Sequence, residues 1–218
     1  MIARHIDSTN LRPEATAGDI KKLCLEAAEY KMAAVCVHPS RLQLARHYIR
    51  NSEVKLCTVI GFPLGAETLA TKKFAARQAL EQGAEELDMV INLGAVKDHN
   101  LNLVEQEIRD IVELKKNQEF ILKVIVETAL LDKQELINLT HLVGDTGADY
   151  IKTSTGFAAR GVSLEDIETI QASKSDRLKI KASGGIRTLE FALSLLAAGA
   201  DRLGTSNAVK IVEECRRK

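Results

Sequence analysis

The sequence lacks most of the features that mark a disordered, a membrane-spanning or a disulfide-rich chain. Among its 218 residues there are 3 prolines and no tryptophan, and no proline-rich or low-complexity tract interrupts it. No apolar run reaches the roughly 18 residues that a transmembrane helix needs. The four cysteines are scattered without Cys-x-x-Cys spacing. We therefore expect reduced, buried thiols rather than a disulfide or zinc framework.

The sequence also lacks an excess of charge of either sign. Thirty Lys and Arg side chains balance thirty Asp and Glu side chains, so no overall field attracts the chain to nucleic acid or to an anionic membrane surface. The N-terminal stretch includes Arg4, His5 and Asp7 and lacks the apolar core of a secretory signal peptide. We therefore expect a cytoplasmic enzyme or binding protein.

What the sequence does contain is the composition of one globular domain over residues 1–218. Hydrophobic residues make up 45% and charged residues 28%, which is enough apolar surface for a substantial core. Short β-branched runs alternate with longer amphipathic segments. Strands are predicted over residues 33–37, 55–60, 86–92, 120–127, 149–153, 178–183 and 202–205, and helices over residues 16–30, 39–50, 67–82, 101–116, 133–144, 164–172, 189–198 and 208–217.

Strict alternation of strands and helices predicts a parallel sheet that helices cover on both faces. With a further short strand over residues 3–7, the chain divides into eight units of about 27 residues each. An open doubly wound sheet usually has five or six strands and a glycine-rich nucleotide loop, and the sequence has no such loop. The expected fold is therefore α/β, a single-domain (β/α)8 TIM barrel with little room for a long lid.

A repeated tripeptide predicts where helices return to strands. Gly83-Ala84-Glu85, Gly147-Ala148-Asp149 and Gly199-Ala200-Asp201 each follow a predicted helix. Glycine tolerates the left-handed backbone that commonly ends a helix. Each tripeptide is therefore expected to form a tight turn into the next strand.

Polar residues occupy several predicted strands and their ends, where catalytic residues of TIM barrels lie. Lys123, Lys152 and Lys181 stand inside strands, and Asp88 lies inside another. A strand lysine either extends its amino group to water or points into the barrel, where burial and neighbouring cations depress the pKa. Lys152 and Lys181, on neighbouring strands, have the arrangement expected for an amine that forms a Schiff base. Asp88 is a candidate for proton transfer, or it only balances the charge of the lysines.

Small and hydroxyl residues end the seventh and eighth strands. Barrels commonly bind phosphate there, through glycine N–H groups and the N-terminus of a following helix. Gly184 and Gly185 follow one strand, and Gly204 and Ser206 end the next. We therefore expect a phosphorylated substrate.

Five segments, in order along the chain, resemble the deoxyribose-phosphate aldolase family. They are residues 58–65 (TVIGFPLG), 86–92 (ELDMVIN), 123–128 (KVIVET), 151–157 (IKTSTGF) and 181–187 (KASGGIR), and the resemblance runs from about Ile6 to Ser206. It implies a class I aldolase on a (β/α)8 barrel, without cofactor or metal. Such an enzyme interconverts 2-deoxy-D-ribose 5-phosphate with D-glyceraldehyde 3-phosphate and acetaldehyde in the catabolism of deoxyribose phosphate.

The resemblance also implies roles for individual residues. Lys152 forms the Schiff base, Lys181 favours the neutral form of that amine and exchanges protons, and Asp88 helps to run a proton relay through water. Glycine, hydroxyl and amide residues bind the substrate and its phosphate: Thr153, Gly184, Gly185, Gly204, Ser206 and Asn207. Members of the family are often dimers, so a homodimer is one expected assembly.

Three positions depart from common patterns of that family. Asn207 stands where members usually have a second serine, Ser8 where many have histidine, and Phe157 where one branch has a phosphate-binding lysine. From Phe157 we expect phosphate binding to depend more heavily on backbone donors. At Asn207 we expect an adjustment rather than a loss, because an amide can still donate to phosphate.

Two other functions also fit the residues. A phosphate-binding barrel isomerase would use Asp88 and Glu127 as acid and base, and a non-catalytic protein would bind a sugar phosphate without turnover. The five histidines lack the spacing of a metal site, which argues against a metal-dependent aldolase. Cys36 lies on the second predicted strand, near the expected pocket, and we expect it to be a small buried hydrophobic residue.

Overall fold

The computed structural model describes residues 2–217, and its eight parallel strands close into a barrel. The strands are β1 (Ile6–Asn10), β2 (Ala34–Val37), β3 (Lys55–Ile60), β4 (Glu86–Val90), β5 (Ile121–Ile125), β6 (Tyr150–Lys152), β7 (Lys179–Ser183) and β8 (Arg202–Thr205). Each strand pairs with the next in the chain, and β8 pairs with β1 to complete the ring. The predicted (β/α)8 barrel is confirmed.

Helices surround the barrel at the predicted places. Over the described residues they are α1 (Ala17–Glu29), α2 (Leu42–Ile49), α3 (Leu69–Glu81), α4 (Leu93–Lys97), α5 (Leu101–Val112), α6 (Lys133–Thr146), α7 (Leu164–Ser173), α8 (Leu189–Ala197) and α9 (Ala208–Arg217). The short helix α4 was not predicted, because one turn is too short for a helical hydrophobic period. Within residues 2–217, no helix combines the length and apolar character needed to cross a membrane.

The first strand begins later than the sequence predicts. The prediction placed it over residues 3–7, but Ile2–His5 form a 3-10 helix and β1 begins at Ile6. The bounds of β1 were predicted wrongly because its composition is polar. Asp7 is buried inside the barrel and pairs there with other charged groups instead of facing water. Asp7 therefore lies near the start of β1 and not at its end, at the level of Gly204 on β8.

The three repeated tripeptides do form the predicted turns. Their glycines adopt positive φ angles of 95°, 86° and 115°. The acidic residue of each turn also accepts a hydrogen bond from a strand N–H, at donor to acceptor distances of 3.1 Å (Leu56 to Glu85), 2.7 Å (Leu122 to Asp149) and 2.8 Å (Ile180 to Asp201). The repeat therefore joins each new strand to the one before it.

The strand period divides side chains between two environments. Residues such as Ile6, Leu87, Ile151 and Leu203 point outward into the main hydrophobic core, against the helices. Inside the barrel lies a second, small apolar cluster formed by Leu11, Ala34, Cys36, Cys57 and Val59. Cys36 is therefore a buried small residue, as predicted. The rest of the interior is filled mostly by charged groups.

Candidate active site

Seven charged side chains lie inside the barrel, and we call them the interior ion cluster: Asp7, Glu86, Asp88, Lys123, Lys152, Lys181 and Arg202. On their strands they alternate with residues that face the main core, so the two-residue period of a strand points them inward. All except Arg202 are at most 3% exposed. With four basic and three acidic members, the cluster carries one more cation than anions when every group is charged.

Asp88 lies at the centre of the interior ion cluster. Its Oδ2 accepts hydrogen bonds from Lys152 Nζ at 2.7 Å and Lys181 Nζ at 2.6 Å, and its Oδ1 accepts one from Lys123 Nζ at 2.8 Å. Burial alone would raise the pKa of Asp88, but the three lysines hold it well below its usual range. Lys152 and Lys181 are also register partners on β6 and β7, as the sequence predicts.

Lys181 has a second carboxylate partner. Its Nζ lies 2.6 Å from Asp7 Oδ2 in addition to its contact with Asp88. Burial opposes the charge of Lys181, but Asp7 and Asp88 outweigh burial and raise its pKa above the ordinary value. The expectation that burial and neighbouring cations depress the pKa of strand lysines is therefore wrong for Lys181. No sequence spacing placed Asp7 beside it.

Lys123 is held in the same way. Its Nζ lies 2.5 Å from Glu86 Oε2 and 2.8 Å from Asp88 Oδ1. Burial opposes its charge, but Asp88, Cys57 and Glu86 raise its pKa well above the ordinary value. The expected depression is wrong here too, since the carboxylates outweigh the cations nearby. Arg202 closes the network by pairing with both Asp7 and Glu86.

Lys152 differs from the other two lysines in its surroundings. Among the described residues, Asp88 is the one carboxylate within ion-pair distance of its Nζ, and Lys152 shares that oxygen with Lys181. Lys152 also borders the cavity at the carboxyl ends of the strands. Lys152 is therefore the amine best placed to act as a nucleophile.

A cavity of about 290 Å³ opens beside Lys152. The predicted phosphate-site residues Gly184, Gly185, Gly204, Ser206 and Asn207 all line it. At Gly184 a side chain is excluded, because φ is +84° and a Cβ atom would lie 2.9 Å from the Cα of Gly161, in the loop between β6 and α7. Helix α9 begins directly after Asn207, so its N-terminal N–H groups add a favourable site for an anion.

Two exposed arginines on the cavity wall were missed by the sequence analysis. Arg12 and Arg187 both line the cavity. Each follows closely on the carboxyl end of a strand, β1 and β7 respectively. A basic residue just beyond the carboxyl end of a barrel strand was the available signal.

Thr153 is a predicted substrate-binding residue that the structure does not bring to the cavity wall. It is fully buried, and its Oγ1 donates to the carbonyl oxygen of Ser183 at 3.2 Å and accepts from the N–H of Ser183 at 3.1 Å. These bonds join the ends of β6 and β7. The placement favours a structural role for Thr153.

The acid and base of the alternative isomerase reading lie in different networks. Asp88 is bonded to lysines, whereas Glu127 is bonded to Thr155. Over residues 2–217, Asp88 and Glu127 share no hydrogen bond and no common partner. The geometry therefore does not pair them.

One group of side chains in the described part of the chain has the spacing of metal ligands. The ligand atoms of Cys36, Cys57 and Asp88 lie within 4.8 Å of one another. Both oxygens of Asp88 already accept bonds from ammonium groups, and these cations oppose a metal ion at the same place. We therefore assign no metal to this group.

Comparison with known proteins identifies the family. Residues 2–210 match the family model described as DeoC/LacD family aldolase. The chain belongs to this aldolase family. It is 49% identical to the deoxyribose-phosphate aldolase of Caldicellulosiruptor saccharolyticus, over 98% of this chain and 97% of that protein. It is also 49% identical to the deoxyribose-phosphate aldolase of Thermococcus kodakarensis, over 97% of this chain and 96% of that protein.

A solved structure from the same aldolase family has the same fold. The tetrameric deoxyribose phosphate aldolase of Aeropyrum pernix superimposes with a TM-score of 0.91 at 37% identity, covering 99% of this chain and 91% of that one. The family resemblance drawn from five sequence segments is thereby confirmed. The printed names of these relatives give deoxyribose phosphate, a sugar phosphate, as the compound on which they act.

Proposed function

We propose that the chain is a class I aldolase that reversibly cleaves 2-deoxy-D-ribose 5-phosphate to D-glyceraldehyde 3-phosphate and acetaldehyde, in deoxyribose phosphate catabolism. One observation carries the proposal: Lys152 borders the cavity and shares an oxygen of a buried carboxylate with a second lysine. The substrate is the one that the names of the relatives give.

Lys152 is the nucleophile of the proposed reaction. Its neutral amine adds to the aldehyde carbon of the open-chain sugar phosphate, and loss of water gives an imine. The protonated imine draws electrons from the bond between C2 and C3. That bond breaks as the hydroxyl on C3 gives up its proton, which releases D-glyceraldehyde 3-phosphate and leaves an enamine. Protonation of the enamine at C2 and hydrolysis release acetaldehyde and restore the amine.

Lys181 and Asp88 prepare Lys152 for this role. Asp7 and Asp88 keep Lys181 charged, so Lys181 is a permanent cation beside Lys152. In general, a positive charge close to an amine favours the neutral form of that amine. Asp88 accepts hydrogen bonds from both lysines, and we assign to it, with Lys181 and water, the transfer of protons during the reaction.

The far end of the cavity holds the phosphate. Backbone N–H groups of Gly184, Gly185 and Gly204, the hydroxyl of Ser206 and the amide of Asn207 supply donors. Arg12 and Arg187, which also line the cavity, supply positive charge, and Phe157 stands where one branch of the family has a phosphate-binding lysine. Anchoring the phosphate aligns the carbonyl carbon with Lys152, and such alignment is worth several kcal/mol in enzymes.

The proposal extends to the assembly of the protein and to its location in the cell. The tetrameric state of the Aeropyrum pernix relative supports self-association, and we propose a homodimer or a multiple of it. A mass measurement of the native protein in solution tests this oligomeric state.

Four free cysteines are consistent with a reducing compartment, so we propose a cytoplasmic location.

Borohydride trapping tests the nucleophile. Incubation with acetaldehyde and sodium borohydride is expected to add one ethyl group to the protein, and peptide mass analysis is expected to place it on Lys152. The Lys152→Arg variant keeps the charge and is expected to gain no ethyl group. An adduct on another lysine, with Lys152 unmodified, would overturn the assignment.

A coupled assay for acetaldehyde tests the reaction itself. With 2-deoxy-D-ribose 5-phosphate the wild-type protein is expected to release acetaldehyde continuously. An isomerase or a non-catalytic binding protein would release none, so a negative result with correctly folded protein rules out the proposed function.

A further inference from the structure

Glu127 is a buried carboxylate that the proposed reaction does not use. It is 3% exposed and lies two residues beyond the end of β5. Its backbone is left-handed, with φ 52° and ψ 71°. This conformation is unfavourable for residues other than glycine, because Cβ approaches the next carbonyl oxygen. Such strain persists only where the surrounding structure enforces it, and it is most common at functional sites.

The pairing of β5 with β6 explains the strained backbone. The N–H of Val126 donates to the carbonyl oxygen of Lys152 at 3.0 Å, and the N–H of Thr128 donates to that of Thr153 at 2.9 Å. The step from Val126 to Thr128 covers two residues, whereas the step between their acceptors, from Lys152 to Thr153, covers only one. Glu127 is the extra residue of a β-bulge, a feature that redirects a side chain beside an active site.

The carboxylate of Glu127 accepts hydrogen bonds from one residue, Thr155. Its Oε2 accepts hydrogen bonds from both the N–H of Thr155, at 3.1 Å, and the hydroxyl of Thr155. Its Oε1 has no partner among residues 2–217. The hydroxyl of Thr155 in turn accepts a bond from the N–H of Phe157 at 3.1 Å. One buried carboxylate therefore fixes the backbone over residues 155–157.

Residues 155–157 form part of the cavity wall. Thr155, Gly156 and Phe157 line the cavity together with Lys152, which precedes them on the same segment. We propose that Glu127 is a positioning residue: by holding Thr155 it sets this wall at the distance from Lys152 that the sugar phosphate requires. The inference rests on the proposed function, since it assigns Glu127 a part in the same reaction.

The backbone around Glu127 is anchored without its carboxylate. The hydroxyl of Thr128 donates to Asp166 at 2.9 Å, and Arg160 donates to the carbonyl oxygen of Thr128 at 3.0 Å and also binds Asp166. Val126 and Thr128 keep their bonds to β6 and the residue after it whatever side chain stands between them. A change at position 127 can therefore remove the contact with Thr155 while the barrel stays intact.

Glu127→Gly is the sharpest test, because glycine favours the left-handed backbone while it removes the carboxylate. We expect kcat/KM for 2-deoxy-D-ribose 5-phosphate to fall by about tenfold or more, with a raised KM, because the wall is no longer fixed. Borohydride trapping of acetaldehyde on Lys152 is expected to proceed at the wild-type rate, since acetaldehyde is too small to need that wall. Glu127→Gln keeps an oxygen for Thr155 and is expected to recover part of the loss.

A matched control separates positioning from backbone strain. Lys31 is also left-handed, with φ 54°, but it is exposed and lies before β2, at the amino end of the strands. Lys31→Gly is expected to leave kcat, KM and the trapping rate unchanged. In addition, Thr155→Val combined with Glu127→Gly is expected to be no worse than the more damaging of the two single changes, because both remove the hydrogen bond between the Thr155 hydroxyl and Glu127.

The outcomes are distinct for the two proposals. Wild-type kcat/KM in Glu127→Gly would overturn the positioning role. A parallel fall of trapping and cleavage would also overturn it, because the effect would then lie in Lys152 itself. If the wild-type protein gains no adduct on Lys152, the proposed function fails instead.

Discussion

At the scale of single residues, the difference between Lys152 and Lys181 comes from their carboxylate partners. Both amino groups bind Asp88 Oδ2, but Lys181 also binds Asp7. Lys181 therefore has two carboxylate partners, whereas Lys152 has one carboxylate partner and shares its oxygen with Lys181. When one lysine in such a pair must become neutral, the less strongly paired one does so at lower cost. The proposed roles of nucleophile and permanent cation depend in part on Asp7, which lies 145 positions before Lys152 in the chain.

Removing the permanent cation should change the pH dependence of the reaction. In Lys181→Leu the interior ion cluster has equal numbers of acidic and basic groups, so loss of a proton from Lys152 leaves an excess of negative charge. We expect the acidic limb of the pH profile of kcat/KM to move to higher pH by about one unit or more, which lowers activity at pH 7 by about tenfold or more. Steady-state kinetics over a range of pH measure this shift.

Two further variants identify the cause of any loss in Lys181→Leu. Lys181→Arg keeps the positive charge, and its pH profile is expected to stay in place even where the maximal rate falls. Lys179→Leu removes an exposed lysine from the same strand and is expected to change nothing. A pH profile of Lys181→Leu that overlies the wild-type profile would contradict the electrostatic role.

At the scale of helices and strands, local sequence patterns were sufficient for most of the fold. Apolar runs and amphipathic segments located seven strands, and the Gly-Ala-acid tripeptides located three turns. The patterns failed at β1 and at α4. β1 is polar because Asp7 pairs with charges from distant strands, and α4 is a single turn that Asn92 begins by accepting the N–H of Ala95. Neither feature leaves a periodic hydrophobic signal.

The acid of a repeated turn is expected to stabilise the barrel. Asp149 accepts the N–H of Leu122 at 2.7 Å and forms an ion pair with Lys115. Asp149→Ala leaves that half-buried N–H without its acceptor, so we expect the free energy of unfolding to fall by about 1–3 kcal/mol. Asp145→Ala, an exposed acid on α6, is expected to change it by less than about 0.5 kcal/mol. Chemical denaturation measures both, and equal effects would show that the hydrogen bond is unimportant.

At the scale of the whole molecule, the interior ion cluster was only partly predictable. Lysines inside apolar strands marked Lys123, Lys152 and Lys181, because a buried cation has few reasons to occur there. Their partners could not be deduced, since Asp7 and Arg202 are separated by 195 positions and meet only when β8 closes against β1. The bulge at Glu127 was missed for the same reason. Such features depend on how strands pair around the ring.

The interior ion cluster should also make the stability of the whole barrel depend on pH in acid. Burial opposes the charge of Asp7 and of Asp88, but the surrounding cations lower the pKa of both in the folded state. Their stabilising effect is therefore complete above the unfolded pKa of about 4 and is lost as pH falls through the lower folded values. The unfolded chain binds more protons in that range, so the free energy of unfolding should decrease steeply from about pH 4 to about pH 2. Denaturation curves at several pH values measure this slope, and it should persist in roughly 0.5 M KCl because salt screens buried pairs only weakly. A flat profile, or a slope that salt abolishes, would place the acid sensitivity in surface ion pairs instead.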